Sequence, residues 1–156
     1  MVVKFVEPDM NLIKAIARDM RQADINEIWE ARRQTPIKAL IDGWDRSDFS
    51  AVVVVDDEPC VMLGLVVSDI LSGMGVTWLL GTDTALKHKR QFVKLVPQVM
   101  NEMLNRCSKL YNWVHSENYE SIRWLKRIGF TIEEPEKYGF NGAMFHKFHI
   151  ERQDYV

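Results

Sequence analysis

Cysteine is nearly absent from this chain. Cys60 and Cys107 are its two thiols, they lie in unrelated segments, and no Cys-x-x-Cys occurs. That spacing offers no thiolate metal site and no redox pair, and reads as two reduced, half-buried thiols. Long apolar runs are missing too: nothing approaches the ~20 residues of a membrane-spanning helix. The opening Met1–Pro8 stretch is interrupted by Glu7 and lacks the shape of a signal peptide. Nor is one sign of charge in excess. Lys and Arg number 20 against 22 Asp and Glu, a net charge of -2, so the field of the whole molecule points to neither a membrane surface nor nucleic acid. His146 and His149, three apart in a strand-like run, face opposite sides and cannot share a metal. His88 stands among lysines, and no metal-ligand or catalytic-triad pattern appears, so the metal expectation is none. Repeats, low-complexity tracts and linkers are also lacking, and the 156 residues read as one domain, 1–156.

What is present is an apolar fraction of 47%, enough for a core. Residues 2–7 read as a strand stopped by Pro8. Residues 10–20 read as a helix with Leu12, Ile13, Ile16, Ala17 and Met20 on one face. Asp24 is placed to cap a second helix, with Glu27 three residues on as in a capping box and Ile25, Ile28 and Trp29 facing inward. Thr35-Pro36 opens a third. Residues 50–55 and 60–67 form a hairpin around an Asp56–Pro59 turn. Residues 76–80 are a buried strand. Thr82-Asp83-Thr84 then caps a long helix from Ala85 to about Lys109, which Pro97 is expected to kink or split.

The last third is the most informative. Residues 111–115 are strand-like. Asn118 stands at a helix N-cap, and Ile122, Leu125 and Ile128 share one face. Gly129 sits at a left-handed C-terminal position and Phe130 opens an extended run, with a final strand from Ala143 to Ile150. The order is β, three short helices, β, β, β, α, β, α, β, β. It implies an α+β (mixed α/β) domain: a central, mostly antiparallel sheet with helices on both faces. The five tryptophans fall at apolar positions of these elements and read as core.

This order, with Asn118, Ser121, Gly129 and Phe130 on an Asn-x-x-Ala-x-x-x-Tyr-x-x-x-Gly-Phe frame, resembles the GCN5-related N-acetyltransferase fold. Residues 76–148 carry a closer likeness. Trp78-Leu79-Leu80-Gly81-Thr82-Asp83, Asn112-Trp113-Val114, Ser121–Lys126, Pro135–Gly139 and Phe145–Phe148 are together similar to small acetyltransferase-like proteins of tailed bacteriophages, among them a short internal virion protein of short-tailed phages.

The resemblance implies a coenzyme A thioester cofactor, acetyl-CoA, and a site to test residue by residue. The pyrophosphate would lie on backbone N–H groups of a glycine-rich loop at a helix N-terminus. Here that loop is Gly81-Thr82-Asp83-Thr84-Ala85, with one glycine and with Asp83 at the helix start, where a capping carboxylate competes for the same amides and repels phosphate. Leu79, Leu80, Gly81 and Thr82 would line the pantetheine arm, and Lys87, Lys89 and Arg90 would meet the phosphates, although consecutive basic positions also read as a solvated helix face. Asn118 belongs to the same set. The usual tyrosine acid is replaced by Leu125, which donates no proton. For a base the candidates are His115 and Glu117, His115 also being readable as a strand-end histidine bonded to its loop.

Two functions follow. One is a phage-encoded, acetyltransferase-like protein without efficient acetyl transfer, acting structurally or in assembly, virion-associated or in the host cytoplasm, with phage virion or host proteins as partners. The virion role comes from the resemblance alone. The other is an active acyl-CoA N-acyltransferase modifying an amine of a host or phage protein. Nucleic-acid binding through residues 87–94 is a third idea that the balanced charge opposes.

Overall fold

The computed structural model describes residues 1–155. Seven strands form one sheet in the order β1-β2-β3-β4-β5-β7-β6. They are β1 (Val3–Val6), β2 (Phe49–Val55), β3 (Glu58–Asp69), β4 (Met74–Gly81), β5 (Lys109–His115), β6 (Thr131–Lys137) and β7 (Met144–Glu151). Every neighbouring pair is antiparallel except β4 and β5. Helices α1 (Met10–Arg18), α2 (Gln22–Arg32) and α3 (Pro36–Arg46) precede β2, α4 (Thr84–Lys87) and α5 (Lys89–Arg106) join β4 to β5, and α6 (Tyr119–Ile128) joins β5 to β6.

The sheet is buried on both faces, which is why β2 reads as an unbroken apolar run. Val52 and Val54 pack with Ile13, Ile16 and Leu40 of α1 and α3. Ala51, Val53 and Val55 point the other way, to Met100, Met103 and Leu104 of α5, as the two-residue strand period requires. The turn from β2 to β3 places Asp56 and Asp57 at φ 48 and 64, the paired left-handed residues of a tight hairpin. On the α3 side Trp78 lies flat over two glycines and donates from Nε1 to Ser47 Oγ at 2.8 Å. A Cβ on Gly64 would stand 2.5 Å from that Nε1, and one on Gly43 2.8 Å from Cζ2.

Several local expectations need correction. Asp24 does not cap α2, which begins at Gln22 after Arg21; Asp24 is buried inside its first turn. Glu27 closes no capping box, because its carboxylate is bonded elsewhere. Asp83 makes no side-chain capping bond and has helical backbone, φ -65 and ψ -18. The long helix breaks at His88 (φ -116, ψ 38), while α5 runs unbroken through the exposed Pro97. Bonds three residues apart, Ala85 to Thr82 and Leu86 to Asp83, wind a tight first turn that cannot continue in register. Trp29 is 47% exposed. At Gly129 the expected left-handed ending is present, with φ 122 and its N–H shared between the Leu125 and Lys126 carbonyls at 3.2 Å. Cys60 and Cys107 are free and buried.

Candidate functional site: a strand fork closed by helix α2

β4 and β5 are hydrogen-bonded only from Met74 to Val76 against Lys109 to Tyr111. Beyond that they part, leaving a fork of backbone groups that no neighbouring strand can satisfy. A cavity of about 380 Å³ occupies this region, walled by Leu79, Leu80, Trp113, Leu125, Asp24 and Glu27 among others.

Unpaired peptide groups in a fork must find partners. Here the chain supplies them itself. Asn112 bridges the apex, donating from Nδ2 to the Thr77 carbonyl at 2.8 Å and accepting the Trp113 N–H at 2.8 Å. Further out, the Gly81 N–H donates to Asp24 Oδ2 at 3.0 Å, and the Gly81 carbonyl accepts the Arg21 N–H at 2.9 Å. On the opposite arm the His115 N–H donates to Glu27 Oε1 at 2.8 Å. One helix therefore holds both arms: Arg21 and Asp24 at the start of α2 grip β4, and Glu27, one turn on, grips β5. Strand alternation leaves the Leu79 peptide group facing the gap.

The side chains doing this form one network. Arg21 pairs with Asp24 at 3.1 Å and Glu120 at 3.2 Å, and Asn118 donates from Nδ2 to Glu27 Oε1 at 3.2 Å. Asn118 holds the N-cap position of α6 without capping it, and its buried Oδ1 has no partner among the described residues. Burial pushes the Glu27 carboxyl up to about 7, against the opposing pull of the His115 N–H; the neighbouring Asp24 charge adds to the rise. Burial also raises Asp24, with Arg21 opposing.

The Gly81–Thr84 loop is ringed by carboxylates. Asp24 binds its first amide, the Thr82 N–H goes to the Cys60 carbonyl at 2.8 Å, and Thr84 Oγ1 donates to Glu58 Oε1 at 2.9 Å. Asp83 is exposed beside them. The N–H groups of Asp83 and Thr84 have no partner among the described residues, yet an anion reaching them would meet Asp24, Glu58 and Asp83. The loop does not suit a diphosphate.

The sequence-predicted residues fall into three groups. Leu79 and Leu80 wall the cavity; Gly81 and Thr82 follow them, their polar groups bonded to Asp24 and to the Cys60 carbonyl. Lys87, Lys89 and Arg90 are exposed on α4 and the first turn of α5, without an ion pair among the described residues. Asn118 joins the α2 network, whereas His115 accepts the Glu117 N–H through Nδ1 at 3.0 Å. That bond leaves the proton of a neutral ring on Nε2. Glu117 is exposed. Asp24 and Glu27 were missed as site residues. Their signal is the spacing Asp24, Glu27, Ile28, Ala31, which is i, i+3, i+4, i+7 and so one helix face, and all four line the cavity.

Solved structures share this architecture. Ard1 from Thermoplasma volcanium matches with a TM-score of 0.72 at 16% identity, over 97% of this chain and 98% of that one. Spermidine N-acetyltransferase from Vibrio cholerae, in complex with CoA and spermine, matches with a TM-score of 0.65 at 14% identity, over 98% and 97%. The fold is that of the GCN5-related N-acetyltransferases. The ribosomal-protein-S18-alanine N-acetyltransferase from Escherichia coli shares this acetyltransferase fold at a TM-score of 0.64 and 11% identity, over 96% and 94%. At such identities the likeness concerns fold alone. By sequence, residues 65–135 match the family model described as Bacteriophage T7, probable scaffold protein Gp13. A search of curated protein sequences finds no match. The Gp13-matched stretch of this acetyltransferase-like chain includes β4, the fork, α5 and α6. Among the described residues no helix is long and apolar enough to cross a membrane, and no three His, Cys, Asp or Glu side chains gather as a metal site.

Proposed function

We propose that this chain is an assembly protein of a tailed phage, built on an acetyltransferase fold but without efficient acetyl transfer. It acts in the assembling virion within the host cytoplasm, with other phage proteins as partners. The match of residues 65–135 to the Gp13 family supports the phage setting. The loss of transfer rests on one observation: the Gly81 peptide group, where the fork would grip a cofactor arm, is bonded on both sides by Asp24 and Arg21. A cofactor could displace them only by leaving the buried Asp24 carboxylate without its backbone donor. The helix-start carboxylate Asp83 and the Leu125 substitution point the same way. Mass spectrometry of purified assembly intermediates and mature particles tests the reading. The chain is expected in one or both at a fixed copy number, and its absence from both removes the assembly role.

A second reading has one specific observation in its favour. Glu27 can hold or release a proton near neutral pH at the wall of the cavity, the property an acyltransferase base needs. On that reading Glu27 replaces His115 and Glu117 as the base for an amine of a host or phage protein.

A further inference from the structure

Outside the fork, one exposed cluster of the surface stands apart. α2 ends at Arg32, and Arg33 follows in left-handed backbone, φ 54, with its N–H on the Trp29 carbonyl at 2.9 Å. Residues other than glycine rarely adopt that conformation. It turns the Arg33 side chain back along the helix, where its guanidinium carbon lies 5.3 Å from the Trp29 ring centre and 5.5 Å from that of Phe140, both within cation–π range. Phe140 comes from the turn between β6 and β7. That turn is fixed against α2, since a Cβ on Gly139 would stand 2.5 Å from the Glu30 carbonyl oxygen. It holds two left-handed residues of its own, Asn141 and Gly142.

Two turns thus bring one guanidinium beside two aromatic rings, and they do so in the open. Trp29 is 47% and Phe140 50% exposed, with Tyr138 in the same β6–β7 connection and Met144 at the start of β7 each 38% exposed. The Arg33 side chain makes no hydrogen bond or ion pair among the described residues. With no partner of its own, the guanidinium keeps its N–H donors unused beside the two rings, and those donors form the fork that takes a carboxylate through two bonds. Trp, Phe, Tyr, Met and Arg are the residue types enriched at the centres of protein interfaces.

We infer that the Trp29–Arg33–Phe140 cluster is a docking surface for an acidic segment of another protein, one carboxylate pairing with Arg33 while apolar neighbours cover the two rings. This deepens the assembly reading and rests on it for the identity of the partner, a protein present with the chain during particle formation. A phosphate would also fit the guanidinium edge, but it has nothing to lay on two exposed aromatic faces.

The test uses the full chain in infected cells, with a photo-crosslinking benzophenone amino acid replacing Phe140 and, as control, replacing the exposed Val93 of α5. Mass spectrometry identifies the crosslinked peptide, and particle content is measured separately. The expected result is a single partner protein captured from position 140 and not from position 93, through a segment that contains Asp or Glu. Arg33→Ala should lower that yield at least tenfold while the melting temperature falls by no more than a few degrees, and Arg33→Glu combined with reversal of the partner's carboxylate should restore it. Capture of nucleic acid or of a second copy of this chain, no capture at all, or a yield indifferent to Arg33→Ala and Arg33→Lys overturns the inference. A crosslink that persists when the chain is missing from particles removes the assembly reading and keeps the docking surface. Presence in particles without a crosslink does the reverse.

Discussion

Glu27 makes a contribution to this protein's stability that falls as pH rises. Its carboxyl is raised from 4.5 to about 7 by burial. The unfolded chain loses this proton as pH passes the lower value, while the folded chain keeps it until the upper one. Between the two the native state holds more protons than the unfolded state, so unfolding free energy declines as pH rises. At 1.36 kcal/mol for each tenfold, the Glu27 contribution lost across the window is at most about 3 kcal/mol; water in the adjoining cavity screens part of it. Glu27→Gln keeps an oxygen for the His115 and Asn118 donors but cannot ionise. Urea unfolding of both proteins from pH 4.5 to 8 isolates the effect as a difference of differences. The variant's advantage should be smallest at the acid end of the range and grow to about 1–3 kcal/mol at pH 8. Parallel curves for the two proteins would refute the reasoning, because they would mean that Glu27 ionises alike in both states.

Asp24→Ala leaves Arg21 nearly buried beside Glu120 alone and the Gly81 N–H without its acceptor; equilibrium unfolding should show a loss of about 3–5 kcal/mol, as for other broken buried ion pairs. Gly64→Ala drives a methyl into the Trp78 indole, and a loss of about 1–3 kcal/mol in the same assay is expected for such overpacking, while Ala51→Gly on the neighbouring strand shifts no indole. Ser47→Ala removes the acceptor of the Trp78 N–H, and thermal melting should report a cost of about 1 kcal/mol.

Much of this architecture could be read from the residues because its periods are clean. β2 alternates between two cores, the Ile122–Leu125–Ile128 stripe marks the inward side of α6, and Gly129 supplies the left-handed stop. The fork left no mark in the residues, since a strand gives no sign of where it leaves its neighbour. α2 was misread for a physical reason. Its inward face carries Asp24 and Glu27 in place of an apolar stripe, and an acidic pair at that spacing near a helix start imitates a cap. The mistake hid the residues that close the site. Asp83 was expected to occupy the helix-start amides of the 81–85 loop, but it caps nothing and the Asp83 and Thr84 N–H groups have no partner among the described residues; the carboxylate that does hold a backbone amide here is Asp24, 57 positions away, on Gly81 at the end of β4. Contacts at that separation leave no local pattern. Trp29 was placed in the core by its apolar character, whereas the structure uses it outside, against Arg33.

The central claim is that α2 closes the fork of an acetyltransferase scaffold with the chain's own side chains. Titration calorimetry of the full chain with acetyl-CoA, paired with thermal melts at millimolar cofactor, tests it most directly. The account predicts no saturable heat and no rise in melting temperature, since a ligand that binds only the folded form must raise it. Saturable binding with a clear stabilisation, retained when Asp24 and Arg21 are intact, would contradict it.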